Sequence, residues 1–146
     1  MARKGQGYTV LIADDEPEVV DLVQIVLETE GYQVQSAPNG KKAMDKITEQ
    51  PPDLLLLDVM MPEMTGLMLL EHLGADPVLS KIPVIMLSVV VTDPEVRMAL
   101  DGGATAYLSK PFEIRELVWL VNRILTMNAA QRDRFRQQLL KDVGRR

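Results

Sequence analysis

The chain has no cysteine and a single histidine, His72. Without thiols it can hold neither a disulfide framework nor a thiolate metal site. His72 falls in the middle of a helical stretch and reads as an ordinary helix-surface residue. No apolar segment approaches the roughly 20 residues that span a bilayer. The opening stretch MARKGQGYTV has two basic residues, but no apolar region with a small-residue cleavage site follows, so it does not read as a secretory signal. Internal repeats and low-complexity segments are also missing. A basic excess is absent too: the formal net charge is -5. An acidic body disfavours nonspecific nucleic-acid binding. Together these absences predict a cytoplasmic protein.

What is present fits one globular domain: 146 residues, 47% of them hydrophobic. Short β-favouring runs alternate with helical patterns. The runs are YTVLIAD (8–14), YQVQSA (32–37), DLLLLD (53–58), KIPVIMLS (81–88) and ATAYLSKP (104–111). The helical segments are 17–31, 39–50, 65–74, 93–103 and 112–128. Pro17 stands at the first turn of the first helix and Gly31 just past its end. Five strand–helix repeats predict an α/β fold with a parallel sheet covered on both faces. Leu54–Leu57 and Val84–Leu87 do not alternate because both faces of those strands are buried.

In open parallel sheets, ligands bind beyond the carboxyl ends of the strands. The first strand ends at Asp14-Asp15-Glu16, the third at Asp58, the fourth at Ser88 and the fifth at Ser109-Lys110-Pro111. Acids, a hydroxyl and an ammonium therefore converge on one edge. Clustered carboxylates repel one another, and one stays protonated unless a cation joins them. Hard oxygen ligands suit Mg²⁺. A carboxylate beside that ion can attack phosphorus. Phosphoryl transfer needs an in-line approach and neutralised equatorial oxygens, which Mg²⁺, Lys110 and Ser88 would provide. Simpler readings stand beside this one. Asp14 and Asp15 would also serve as helix caps, Asp58 and Ser88 as strand ends, and Tyr107 as core. Met60, Met61 and Met64 read as packing material, not as a soft-metal site.

The stretches LIADDEP, LLLLDVMMPEMTG, IPVIMLS and GATAYLSKPF, at these spacings, resemble the receiver domain of two-component response regulators, over about residues 8–127. The resemblance implies a flavodoxin-like, three-layer fold with strand order 2-1-3-4-5. It implies that Asp58 is the phosphoacceptor, that Asp15 binds Mg²⁺ directly and Asp14 mainly through water, and that Met60 offers a backbone carbonyl to the metal. It further implies that Ser88 and Lys110 contact the phosphoryl group, that Tyr107 is a switch aromatic, and that the bond before Pro111 is cis. A sensor histidine kinase or phosphotransfer protein would be the donor. The surface of helix four, strand five and helix five, carrying Arg97, Asp101, Arg115 and Trp119, would switch and support a homodimer. Val89 replaces a small residue usual in the family, Val90 a polar one and Ala106 an acid. On the same resemblance the chain is a regulatory domain, not a multiple-turnover enzyme, without direct nucleic-acid or membrane binding.

Three other readings fit less well. A phosphatase with an aspartate nucleophile places a second acid two residues on, where this chain has Met60. A receiver used purely for interaction usually loses an acid or the lysine, and both are kept. A nucleotide-binding flavodoxin-like protein lacks support because no glycine-rich loop follows the first strand. The domain is taken as residues 1–127, with 128–146 a C-terminal helical extension or linker. Residues 126–146 carry six basic side chains against Asp133 and Asp142. Rough heptad spacing through Ile114, Leu117, Val121, Leu125, Phe135 and Leu139 predicts one helix over 113–143, as a weak coiled coil, a connector or a solvated end.

Overall fold

The computed structural model describes residues 7–89 and 92–143. Val90, singled out in the sequence, and Val91 lie outside the described residues. Five strands run Thr9–Ala13 (β1), Gln33–Ala37 (β2), Leu54–Asp58 (β3), Val84–Ser88 (β4) and Ala106–Ser109 (β5). Helices follow at Pro17–Thr29 (α1), Gly40–Glu49 (α2), Gly66–Gly74 (α3), Asp93–Asp101 (α4), Ile114–Thr126 (α5) and Ala129–Asp142 (α6). All strand pairings are parallel, in the order β2-β1-β3-β4-β5. The predicted three-layer architecture is therefore present.

Alternate residues of each strand feed opposite layers. Leu11, Ala13, Leu55, Leu57, Val84 and Met86 pack with Ile47, Leu69 and Leu73 from α2 and α3. Val10, Ile12, Leu54, Leu56, Ile85 and Leu87 pack with Val23 and Leu27 of α1 and Leu117, Val121 and Ile124 of α5. Every residue of β3 and β4 is buried, which accounts for their unbroken apolar runs.

Local chemistry sets the element ends. Asn39 accepts a hydrogen bond from the Lys42 amide and Thr65 one from the Met68 amide, starting α2 and α3. The segment read as strand 81–88 begins instead with a 3-10 turn, Leu79–Lys81, and the strand proper starts after Pro83. The Asp76 carboxylate accepts from the Val78 and Leu79 amides and holds that turn.

The single helix expected over 113–143 does not form. Met127 takes extended backbone, and Asn128 opens a new helix with a reciprocal capping box to Gln131. The Asn128 side chain competes for backbone amides, and this outweighs the continuing apolar spacing. After the break α6 folds back on the domain. Leu139, Leu140 and Val143 pack with Val96 and Leu100 of α4 and Tyr107 of β5, and Phe135 and Leu139 reach the layer that contains α5. The extension is neither a coiled coil nor a solvated end.

Candidate functional site

Sheet topology concentrates the polar groups. The chain winds outward from β1 in both directions, so the loops after β1 and β3 diverge and leave a crevice between them. Ala13 pairs with Leu57, placing Asp14 beside Asp58. Asp58 pairs with Leu87, and Ser88 with Ser109, which brings Ser88 and the Lys110 segment alongside.

Asp14 and Asp58 are almost inaccessible, at 1% and 4% exposure. Asp15 and Glu16 are exposed at the rim. Ligand oxygens of Asp14, Asp15, Glu16 and Asp58 all lie within 4.8 Å of one another. The Lys110 ammonium enters this group, 2.7 Å from Asp14 Oδ2, 3.1 Å from Glu16 Oε1 and 3.6 Å from Asp58 Oδ2. The Lys110–Pro111 bond is cis. The Met60 amide donates to Asp58 Oδ1 at 3.2 Å, leaving Oδ2 facing the ammonium. The Glu16 amide donates to Asp14 Oδ1 at 2.9 Å. Asp14 Oδ2 is buried and, among the described residues, makes no directional hydrogen bond beyond its ion pair with Lys110.

The electrostatics follow from this crowding. Burial, then the Asp14 charge, pushes the Asp58 carboxyl up to about 7, against the opposing pull of Lys110 and the Met60 amide. Burial alone would lower the Lys110 ammonium, but its contacts with Asp14 and Glu16 and the field of Asp58 raise it. Carboxylates crowded enough to push Asp58 up, even with one ammonium among them, fit a hard divalent cation. The donors are oxygens throughout, and Asp14 Oδ2 retains coordinating capacity.

Ser88 is buried at the end of β4. Tyr107 is half-buried and within hydrogen-bonding reach of the Ser88 hydroxyl; burial raises its phenol and that contact opposes the rise. Val89 is 66% exposed. It stands with Glu16, Val19, Lys110 and Phe112 around a cavity of about 320 Å³ at the site's mouth.

Asp14, Asp15, Asp58, Met60, Ser88 and Lys110 thus lie together at this edge, with Tyr107 beside Ser88. Arg97 donates to the Val143 carbonyl at 3.4 Å, under α6. Arg115 and Trp119 line a different groove, with Ile25 of α1 and Glu30 just past its end. Two contributors were given no role by the sequence reading. Glu16 is a second anchor for Lys110, signalled only by its place after two aspartates. Gly66 approaches Asp58 so closely that a Cβ there would lie 2.3 Å from the Asp58 carbonyl oxygen; the quoted stretch LLLLDVMMPEMTG ends on it.

Comparison with known proteins agrees with this geometry. Residues 10–122 match the response regulator receiver domain family. The DNA-binding dual master transcriptional regulator RpaA of Synechocystis is 38% identical over 80% of this chain and 48% of its own length. The phosphate regulon transcriptional regulatory protein PhoB of Pseudomonas aeruginosa is 37% identical over 82% of this chain and 52% of its own. The chain spans about half the length of these curated relatives. A putative response regulator from Chloroflexus aurantiacus superposes with a TM-score of 0.78 at 34% identity, covering 82% of this chain and 98% of the other. The chemotaxis response regulator CheY4 of Vibrio cholerae gives 0.76 at 28%, covering 80% and 98%. The acidic crevice, the parallel sheet that builds it and these matches lead to one assignment: the chain belongs to the response regulator receiver domain family, the phosphoacceptor module of two-component signalling.

Proposed function

We propose that Asp58 accepts the phosphoryl group, with Mg²⁺ as the metal and a sensor histidine kinase or phosphotransfer protein as donor. The observation that carries this is Asp58 itself. It is a buried carboxylate with one oxygen held by the Met60 amide and the other facing Lys110 across 3.6 Å, inside a ring of acids. Asp14, Asp15 and Asp58, with the Met60 carbonyl, would hold the metal. When bound, Mg²⁺ would supply positive charge that offsets the transferred oxygens and favours the ionised form of the carboxyl cluster. Asp58 Oδ2 attacks phosphorus; the new O–P bond forms as the donor's N–P bond breaks and its imidazole keeps the electron pair. Lys110 binds one phosphoryl oxygen and the Ser88 hydroxyl donates to another.

The product is a modified protein, so the chain is a stoichiometric acceptor acting in the cytoplasm. Residues 1–127 form the receiver and 128–146 its extension. Tyr107, joined to Ser88, carries the change to the surface of α4, β5 and α5. The proposed homodimer through that surface requires α6 to move first, because α6 occupies it.

Incubation with acetyl phosphate and Mg²⁺, read by intact mass, tests the assignment. The wild type gains one phosphoryl group and Asp58→Asn gains none. Phosphoryl mass on Asp58→Asn would show that another residue is the acceptor.

A further inference from the structure

α6 has the composition of a segment that docks without being built in. AAQRDRFRQQLLKD is mostly polar, and none of its residues is fully buried. Phe135, Leu139 and Val143 recur every four residues, with Leu140 beside them, so a single narrow apolar stripe faces the domain. A helix of 14 residues is marginal alone in water, so docking sustains it.

Two arginines fix its place. Arg132 Nε donates to the Ile124 carbonyl at 3.0 Å, in the last turn of α5. Arg136 Nη1 donates to the Leu100 carbonyl at 3.0 Å, in the last turn of α4. That turn of α4 has no basic residue of its own and ends on Asp101. Arg136 therefore supplies the cation that a helix carboxyl end favours. Arg97 answers from α4 to the Val143 carbonyl. The cationic tail is thus a set of groups aimed at particular carbonyls.

Tyr107 connects this interface to the crevice. Its ring packs against the cluster of Val96, Leu100 and Val143, which Leu139 and Leu140 of α6 also cover, while its hydroxyl reaches Ser88. One side chain thus stands between the apolar cluster on which α6 docks and a residue of the proposed phosphoryl site.

We propose that α6 is a releasable intramolecular ligand of the surface formed by α4, β5 and α5: it covers that surface while Asp58 is unmodified, and leaves when Ser88 is drawn to a phosphoryl group and Tyr107 turns. The inference rests on the acceptor reading of Asp58. The freed surface is an apolar patch of Val96, Leu100 and Tyr107, flanked by two helix ends whose carbonyls have lost their arginines. Any partner that reads it does so in competition with α6.

The test uses the full chain, Mg²⁺ and beryllofluoride, a phosphoryl mimic. Fluorine NMR reports the adduct, and hydrogen exchange reports residues 129–142. Adduct formation should speed exchange in α6 about tenfold or more while β1 and β3 stay protected. Arg136→Ala should speed it without the mimic. By reciprocity, that variant should bind beryllofluoride more tightly by the same factor as α6 has been loosened. Asn128→Ala, which removes an exposed cap, should act in the same direction by about fivefold and serves if Arg136→Ala does not fold. A fluorine signal for the adduct with unchanged exchange in α6 would overturn this inference and leave the acceptor reading standing. No adduct at all would overturn both.

Discussion

Replacing Asp58 by asparagine should stabilise the metal-free protein, and the gain should depend on pH in a defined way. The folded carboxyl titrates near 7 against 3.8 as its ordinary value. A carboxyl raised in this way contributes stability that is fully present below 3.8 and is lost as pH climbs through about 7. Above that, the folded state carries a buried charge beside Asp14 that the unfolded chain disperses. A rise of roughly three units has a ceiling of about 4 kcal/mol. The site opens to water on the Asp15 side, and screening reduces the figure to about 2 kcal/mol. Asparagine keeps an oxygen for the Met60 amide and removes the charge. Urea unfolding in chelator, at about pH 5 and about pH 8, should show the variant more stable by about 1 and about 2 kcal/mol respectively. In melting temperature the larger gain is about 4–8 °C. Millimolar Mg²⁺ should then narrow the gap at the higher pH, because it binds the folded wild type. A variant less stable than wild type at about pH 8, or a gap that does not change with pH, would refute the reasoning about crowded acids.

Two further outcomes follow from the site's walls. Gly66→Ala puts a methyl group 2.3 Å from the Asp58 carbonyl oxygen and 2.9 Å from Val59 Cα. The backbone must shift at a cost of about 1–3 kcal/mol, and acetyl phosphate labelling should slow with it; normal stability and rate would mean that the close approach is harmless. Val89→Ala opens the mouth beside Lys110 and should speed both labelling by small donors and loss of the phosphoryl group by a few-fold, as read by time-resolved intact mass. Equal rates for both steps would exclude steric control at Val89.

Most of the fold was legible because its signals are local and repeated. The unbroken Leu54–Leu57 and Val84–Leu87 runs can only be buried strands in a parallel sheet, and they are. The site was legible because each strand presents its last residue to the same edge, so Asp14, Asp58, Ser88 and Lys110 could be gathered from order alone. What failed was the chain after Thr126. Heptad-like spacing carried the reading straight on, while one asparagine side chain, bonded reciprocally with Gln131, ended one helix and began another. The docking of α6 was also hidden, since it depends on carbonyls of Leu100 and Ile124 that no side-chain pattern encodes. Gly66 was in view but unread, because a close backbone approach is a property of two loops together.

The sheet has two edges, and they are protected differently. β2 guards its own: Gln33 and Gln35 are exposed along it, and the Lys46 ammonium donates to the Ser36 carbonyl. Polar and cationic groups of this kind discourage a foreign strand from adding on. β5 has the sequence Ala-Tyr-Leu-Ser and no charge; α6 packs against it instead. Whenever α6 is away, β5 keeps only its shortness, 4 residues, as protection against backbone pairing. Time spent with α6 released is therefore also time spent at risk of insoluble sheet growth, and that hazard limits how long the released form can persist at high concentration.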